Sequence, residues 1–221
     1  MDAKVQFSAE EMRLVTDPAW ILTKNSAVRK VVEFFGELSG EWRTILPWDC
    51  NPKVSRGEQY KGLPWVMLDY PRVFGKEDVL AVRTMFWWGH YFSMTLHLKG
   101  SYLRSYLPVI LARRPELEAA GFWPGVSDDE WEHDHRPGTW ETAVRADERG
   151  RRAPVDEGGR RAPVDERGRK APADEQETTG AYAGGNRPFL KLSARCELDQ
   201  SEMLSGMYRA LINLLITQPV K

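Results

Sequence analysis

Cysteine is scarce in this chain of 221 residues, which contains only Cys50 and Cys196 and no CxxC pair. Zinc ribbons and disulfide-rich secreted domains need several closely spaced cysteines, so the sequence excludes both classes. Two isolated thiols are typical of a protein in a reducing compartment. We therefore expect a cytoplasmic protein.

An excess of charge of one sign is also absent, because 31 basic residues face 32 acidic ones. Proteins that bind nucleic acid or anionic membranes usually carry a basic patch or a basic overall charge. The sequence also lacks an apolar run of the roughly 20 residues that span a bilayer, and its first residues do not resemble an export signal. We expect a soluble protein with neither a nucleic acid nor a membrane as partner.

Familiar catalytic motifs are missing as well. The sequence contains no glycine-rich phosphate loop after a strand and no GxSxG elbow. No organic cofactor is therefore expected. With 42% hydrophobic residues the chain is long enough to bury a core, and its length favours one domain over residues 1–221.

Residues 79–98, VLAVRTMFWWGHYFSMTLHL, hold the strongest pattern in the chain, two alternating runs joined at Gly89-His90. A two-residue type II′ turn predicts a hairpin in which Trp88 pairs with Tyr91 and Arg83 with Leu96. One face would then carry Ala81, Arg83, Met85, Trp87, Phe92, Met94, Leu96 and Leu98. The other would carry Val82, Thr84, Phe86, Trp88, Tyr91, Ser93, Thr95 and His97, and such a polar, aromatic face can line a pocket.

Arg83 would be the one cation on the apolar face, where an unpaired guanidinium is costly. Asp69 on the preceding strand is the predicted partner. Two interpretations stay open: a structural ion pair, or an arginine that binds the carboxylate or phosphate of a ligand. The candidate ligand-binding residues are Asp69, Arg72, Arg83, Trp88, Tyr91 and His97. His97 is also a candidate base for a neighbouring hydroxyl group.

Residues 128–135, DDEWEHDH, are the densest group of potential metal ligands. His133 and His135 at i and i+2 can chelate one ion, with Glu132 or Asp134 completing its shell. Proline and glycine on both sides mark a surface loop, in which acidic residues are common. A divalent metal site and a solvated loop therefore both stay open.

Residues 144–179 repeat with a nine-residue period, as in APVDEGGRR and APVDERGRK. Each unit offers little apolar surface to bury, which favours a solvated low-complexity insert over a stacked repeat. The insert would lie in a hairpin loop between strands at 139–144 and 188–198. A docking arm for a charged partner is the alternative.

These patterns predict an α+β fold with N- and C-terminal helices packed on one face of an antiparallel sheet. Five strands are expected near residues 58–70, 79–88, 91–99, 139–144 and 188–198. The stretch at 62–72, bounded by Pro64 and Pro71, is expected at a sheet edge. Helices are expected after Ser8, which forms a capping box with Glu11, after Asn25, over 101–113, and after a cap formed by Asp199 and Glu202.

Two strings, LPWVMLDYPR and RTMFWWG, resemble strings in a group of uncharacterised conserved bacterial proteins. The resemblance covers about residues 56–100 and implies no known activity. The chain is more distantly similar to uncharacterised α+β proteins in which a YKxLP strand follows a long N-terminal helix.

The nine tryptophans exceed what a core of this size needs, and two interpretations stay open: structural packing, which the sequence favours slightly, and a binding cleft or protein interface. The leading hypothesis is a cytoplasmic domain that binds a small molecule or a protein through the hairpin face. The alternative is a metal-assisted hydrolase that uses residues 128–135.

Overall fold

The computed structural model describes residues 4–45, 49–140 and 187–216. Its elements in chain order are α1 (Ala9–Thr16), α2 (Pro18–Ile45), β1 (Lys53–Tyr60), β2 (Leu63–Phe74), β3 (Val79–Trp87), β4 (Phe92–Lys99), α3 (Gly100–Ala112), α4 (Arg114–Ala119), β5 (Trp123–Pro124), β6 (Phe189–Cys196) and α5 (Met203–Leu215). The repeats at 144–179 lie outside the described residues. None of the described helices is both long and apolar enough to cross a membrane.

The six strands form one antiparallel sheet in the order β1-β2-β3-β4-β6-β5. Strand β6 thus lies between two strands that precede it in the chain. The α+β fold class and the antiparallel sheet are confirmed, with six strands where about five were predicted.

Helices α2, α3 and α5 cover one face of the sheet and enclose the main core. The apolar stripe of α5 is almost wholly buried, from Leu204 to Leu215. Trp42 of α2 stacks on Tyr208 of α5 with ring centroids 3.9 Å apart. Helices α2 and α5 therefore meet in the core, and the predicted packing of N- and C-terminal helices on one face is confirmed.

The register predicted for the β3–β4 hairpin is wrong by one residue. Phe86 pairs with Phe92, and Arg83 pairs with Thr95. The loop has three residues, 88–90, because the Trp87 N–H donates to the Tyr91 carbonyl (3.1 Å). Within it the His90 N–H donates to the Trp87 carbonyl (3.0 Å), and Gly89 at φ +73° is the third residue of that turn. A positive φ at that position is what a type II turn requires, in place of the predicted type II′ turn.

The shifted register changes which side chains share a face, because side chains alternate along a strand. The helix-covered face carries Leu80, Val82, Thr84, Phe86, Phe92, Met94, Leu96 and Leu98. The opposite face carries Ala81, Arg83, Met85, Trp87, Ser93, Thr95 and His97. Arg83 therefore lies beside Thr95 of β4 and Asp69 of β2, contrary to the prediction that placed it beside Leu96 on an apolar face.

The predicted strand at 58–70 is in fact parts of two strands. Lys61 and Gly62 both have positive φ (49° and 80°), as a two-residue type I′ turn requires, and Tyr60 pairs with Leu63 across it.

Strand β2 is interior and not at the predicted edge. Pro71 is tolerated there because it lies in the register break between Asp69 and Arg72.

The predicted pairing of residues 139–144 with β6 is not found in the described part of the chain. Trp140 pairs with Gly125, and β6 has β4 and β5 as its neighbours. Residues 141–144 lie outside the described residues. The reason is local, since Trp123–Pro124 already occupies the outer edge of β6.

The N-terminal capping box is confirmed, because the Glu11 N–H donates to Ser8 Oγ (3.2 Å) and the Ser8 N–H to Glu11 Oε2 (2.7 Å). Helix α2 begins at Pro18, well before the predicted start after Asn25. Proline suits the first turn of a helix, and Asp17 Oδ1 accepts the Ala19 N–H at 2.9 Å.

The other two predicted helices are present with small differences. Helix α3 runs through Pro108 without ending. Helix α5 begins at Met203, and the Glu202 side chain forms no capping hydrogen bond with any described residue. The predicted cap by Asp199 and Glu202 is therefore wrong.

Candidate functional site

Residues 126–140, here called the covering loop, lie across the sheet face opposite the helices. Tyr91 of the hairpin holds the loop against the sheet with two hydrogen bonds. Its hydroxyl accepts a hydrogen bond from the His135 backbone N–H (2.6 Å) and donates one to the His133 carbonyl (3.3 Å). Lys191 of β6 donates to the carbonyls of Glu130 (3.2 Å) and Glu132. The predicted open hairpin face is therefore closed by the chain itself.

The covering loop buries polar side chains that the strand pattern assigns to the polar side of the sheet. Lys191 and His97 are each 3% exposed, and Ser193 and Thr95 are each 2% exposed. These four residues lie between the sheet and the loop and, together with the half-buried His135 of the loop, are here called the buried polar layer. Alternation in β6 predicts the strand correctly, but it contains no information about the loop that covers it.

Asp69 and Arg83 lie opposite each other on β2 and β3, so the predicted partner of Arg83 is confirmed. Arg83 Nε donates to Asp69 Oδ1 at 2.7 Å and Nη2 to Oδ2 at 3.3 Å. The guanidinium also lies 5.4 Å from the Phe74 ring centre and 5.3 Å from that of Trp131. Its charge is balanced by Asp69, and a ligand-binding role for it stays a prediction.

His97 lies beneath the covering loop with Nε2 3.1 Å from Glu130 Oε1. The nitrogen has no aligned hydrogen bond to any described residue. Burial, followed by the charges of Lys191, Arg83 and Lys99, lowers the pKa of His97 to about 3. The imidazole is therefore neutral at pH 7, and its ring packs edge-on against the rings of Trp131 and Phe189.

Ser193 is the centre of the hydrogen bonds in the buried polar layer. Its Oγ lies 3.1 Å from the Met94 carbonyl, 2.8 Å from Thr95 Oγ1 and 2.9 Å from His135 Nε2. A hydroxyl has one proton. If that proton is donated to Met94, the oxygen accepts from Thr95 and His135, and all three bonds are satisfied.

This serine and histidine resemble the first two members of a catalytic triad, but the layer is closed to a substrate. Burial, followed by the charges of Arg195 and Lys191, lowers the pKa of His135 to about 3. His135 also stacks on Trp140, with ring centroids 4.5 Å apart. The arrangement is suited to holding the covering loop on the sheet.

Lys191 is the residue that the sequence interpretation missed most clearly. Its ammonium lies 5.4 Å from the Trp140 ring centre, between the two carbonyls that it binds. Burial, followed by the charge of Arg83, lowers the pKa of Lys191 to about 7, although nearby acids act in the opposite direction. The one available signal was the group of tryptophans at 123, 131 and 140, which need a surface to pack on.

The carboxylates of the predicted metal site are already bound to cations and hydrogen-bond donors. Glu132 accepts from the Tyr60 hydroxyl (2.8 Å) and the Asp134 N–H (2.9 Å), and Lys61 Nζ lies 3.0 Å from both the Glu132 and the Asp134 carboxylates. Burial raises the pKa of Glu132, but these donors outweigh burial and hold the pKa at about 2.

The two histidines of this loop contact different neighbours. His133 packs edge-on against Tyr60, and its Nδ1 has no hydrogen-bond partner among the described residues. His135 faces Ser193 and Trp140. In the ranges that the structure describes, no three His, Cys, Asp or Glu side chains are grouped to hold a metal ion.

Of the six predicted ligand-binding residues, four lie on the loop-covered face: Asp69, Arg83, Tyr91 and His97. Trp88 lies in the turn and packs against the helix-side core, 6.3 Å from the Phe86 ring. Arg72 is exposed and donates to the Asn51 carbonyl at 3.2 Å. The one-residue register shift explains why Arg83 and His97, predicted on opposite faces, share a face.

The outer side of the covering loop carries an exposed aromatic group in a fixed position. Trp131 is 51% exposed and Phe74 is 40% exposed, with the Arg83 guanidinium near both rings. The Trp131 N–H donates to Asp129 Oδ1 (2.8 Å), which fixes the backbone there. Phe74, Arg83 and Trp131 together are called the aromatic-arginine surface below.

The resemblance of residues 56–100 to uncharacterised bacterial proteins stays a prediction. No protein-family model, no curated protein and no solved structure matches the chain.

Proposed function

We propose that this chain is a cytoplasmic protein-binding domain that contacts its partner through the aromatic-arginine surface. The observation that carries the proposal is the half-exposed Trp131 on a loop that is held in place by buried hydrogen bonds from Tyr91 and Lys191. Tryptophan and arginine are enriched among the residues that dominate binding energy in protein interfaces. A rigid contact residue also loses little conformational entropy on binding.

The state of the chemically reactive groups supports binding over catalysis. Ser193 and Lys191 are 2% and 3% exposed, and both are bonded to protein atoms. A catalytic site needs reactive groups that converge on a substrate-accessible space. The buried polar layer instead positions the covering loop and, with it, Trp131.

The charge around Trp131 supports a protein partner over a small anion. Asp69 already occupies two guanidinium nitrogens of Arg83, so bidentate binding of a ligand carboxylate would have to displace it. Asp128 and Asp129 are exposed beside Trp131 and favour a partner with a basic rim. A reducing location is consistent with Cys50 and Cys196, both of which are free.

The test is quantitative affinity purification from the source cells with the wild-type protein and two variants, followed by titration of the purified partner. Trp131→Ala should weaken binding about 30-fold, equivalent to about 2 kcal/mol. Met203→Ala, at a side chain that is 47% exposed on α5, is the matched control and should bind normally. The proposal is wrong if every captured protein binds wild type and Trp131→Ala with equal affinity.

A metal-assisted hydrolase centred on His133 and His135 is the second candidate. The covering loop supports it by bringing both residues over the hairpin face that carries His97. Calorimetric titration with Zn²⁺ and Mn²⁺ tests it. Because Lys61 already binds Glu132 and Asp134, we expect no stoichiometric binding. Binding of one ion that is lost in His135→Gln would favour the hydrolase instead.

A further inference from the structure

The N-terminal helices extend beyond the folded core. All eight residues of α1 are described and none of them is buried. In α2, residues 18–23 are exposed, Lys24 is half-buried and Val28 is the first buried residue, so six residues form an overhang about 9 Å long at 1.5 Å per residue. Directly after this overhang, Lys24 forms an ion pair with Glu58 of β1.

This segment has an unusual concentration of exposed apolar side chains. Of the fourteen large apolar side chains that are exposed among the described residues, eight lie between Val5 and Leu22. They are Val5, Phe7, Met12, Leu14, Val15, Trp20, Ile21 and Leu22. Leu22 is 64% exposed and Trp20 is 56% exposed. All eight lie within 18 consecutive residues, and exposed apolar surface concentrated in this way often marks an interaction site.

The segment forms capped helices in the single chain, before any partner binds. A capping box starts α1, and Asp17 caps α2 one residue after α1 ends. Because each helix has its own N-terminal cap, the apolar side chains are held on fixed helices before any partner arrives. Binding therefore does not have to order the backbone, which lowers its entropic cost.

We propose that this segment, residues 4–24, is the interface of a homodimer in which each copy covers the apolar side chains of the other. Three cations, Lys4, Arg13 and Lys24, and three anions, Glu10, Glu11 and Asp17, give the segment no net charge. Two such segments can pair around a two-fold axis without net repulsion. The pairing also allows the acidic first turn of α1 to face Arg13 of the other copy.

The exposed area fits a stable dimer. A half-exposed side chain of this size presents about 100 Å², so eight of them present roughly 800 Å² per copy. That is the area per partner in an interface of standard size. A membrane surface fits less well, because helices that bind anionic lipid carry an excess of lysine and arginine on the polar face, which this segment lacks.

Sedimentation equilibrium of the full chain tests the proposal. The wild-type protein should sediment as a dimer over about 1 to 100 µM, a range in which an interface of this area is expected to be populated. The double variant Ile21→Glu with Leu22→Glu should be monomeric. The control, Leu198→Glu with Met203→Glu, adds the same charge at exposed positions outside the segment and should stay dimeric.

A second pair of substitutions, Met12→Glu with Val15→Glu, places the charges on α1 and should also give monomers. Circular dichroism and the urea midpoint check that each variant is folded, and we expect folded variants because none of the changed residues is buried.

A wild-type monomer throughout the range would overturn the proposal, as would dissociation of the control. Binding of monomeric wild type to phosphatidylglycerol vesicles would assign the segment to a membrane instead. The result does not depend on Trp131, so the two proposals fail separately.

Discussion

Arg83 and Asp69 form a pair that depends on both partners. Their side chains are 14% and 8% exposed, and two hydrogen bonds join them. Removal of the cation leaves a nearly buried carboxylate without its counter-ion, which is a costly arrangement. The pair is therefore expected to act as a structural unit of the β2–β3 ladder.

We predict that Arg83→Met lowers the free energy of unfolding by about 3 to 5 kcal/mol, because Asp69 is left unpaired. Urea denaturation measures the change. The double variant Asp69→Leu with Arg83→Met should recover most of the loss, since it removes both charges. Arg72→Met, at an exposed arginine directly after the register break, should cost less than about 0.5 kcal/mol. A stable Arg83→Met protein would contradict the structural role.

For the single residue Arg83, the sequence predicts the salt-bridge partner but not the neighbouring side chains on β4. Asp69 is recognisable because it is the acid on the neighbouring strand, and that inference does not need the register of β3 against β4. The neighbours of Arg83 on β4 depend on whether the turn contains two residues or three. Gly89 is compatible with both turns, so the sequence alone leaves Thr95 and Leu96 as equal alternatives.

The covering loop is the element that turns a sheet face into a closed layer. Its backbone is irregular, and tertiary contacts such as those of Tyr91 and Lys191 determine where it lies. Periodicity identifies β6 and the helices because each buries a regular stripe. A loop has no such stripe, so its position over His97 could not be predicted from the pattern of residues 126–140.

The ends of the repeat-containing segment lie close together in the described structure. Trp140 pairs with Gly125, and Arg187 donates to the Gly125 carbonyl at 2.7 Å and to the Ser127 carbonyl at 3.0 Å. A short connection can therefore replace a long one. The entropic cost of closing a loop changes only slowly with its length.

We predict that deletion of residues 144–179 changes the free energy of unfolding by less than about 1 kcal/mol. The urea midpoint of the deletion variant, compared with wild type, measures this. As a control, replacement of residues 127–134 by glycine and serine should cost several kcal/mol, because Tyr60 and Lys61 lose the Glu132 carboxylate that they bind. Loss of folding on deletion of the repeats would show that they contribute to the core.

Across the whole molecule, the buried polar layer makes stability depend on pH in one direction. The pKa values of His97 and His135 fall from an ordinary 6.5 to about 3, and that of Glu132 falls from 4.5 to about 2. In each case the unfolded chain binds protons that the folded chain excludes. The stabilisation is present above the unfolded pKa and is lost as the pH falls through the folded pKa.

Lys191 extends this dependence above neutrality. Its pKa falls from 10.5 to about 7, so between these values the unfolded chain is again the more protonated state. The contribution of Lys191 therefore declines as the pH is lowered from 10.5 to 7. Below pH 7, protonation of the two histidines and then of Glu132 in the unfolded chain lowers the free energy of unfolding further.

We predict that the free energy of unfolding falls steadily between pH 6 and pH 4 and that His135→Gln makes this fall less steep. One proton fewer taken up on unfolding reduces the slope by about 1.4 kcal/mol per pH unit. Urea denaturation at several pH values gives the slope. Thr95→Val, which removes a non-titrating member of the buried polar layer, should keep the wild-type slope. An unchanged slope in His135→Gln would contradict the assignment.

The sheet order also bears on how the chain is made by the ribosome. Strand β6 pairs with β4 along its length, yet roughly 90 residues separate Lys99 from Phe189, which is about 5 to 20 s of synthesis at ~5–20 residues per second. Until β6 is made, β4 lacks the strand that covers its outer edge, and an unpaired strand edge is a template for adhesion between chains. We therefore expect the yield of the protein in cells to depend on how quickly translation reaches β6.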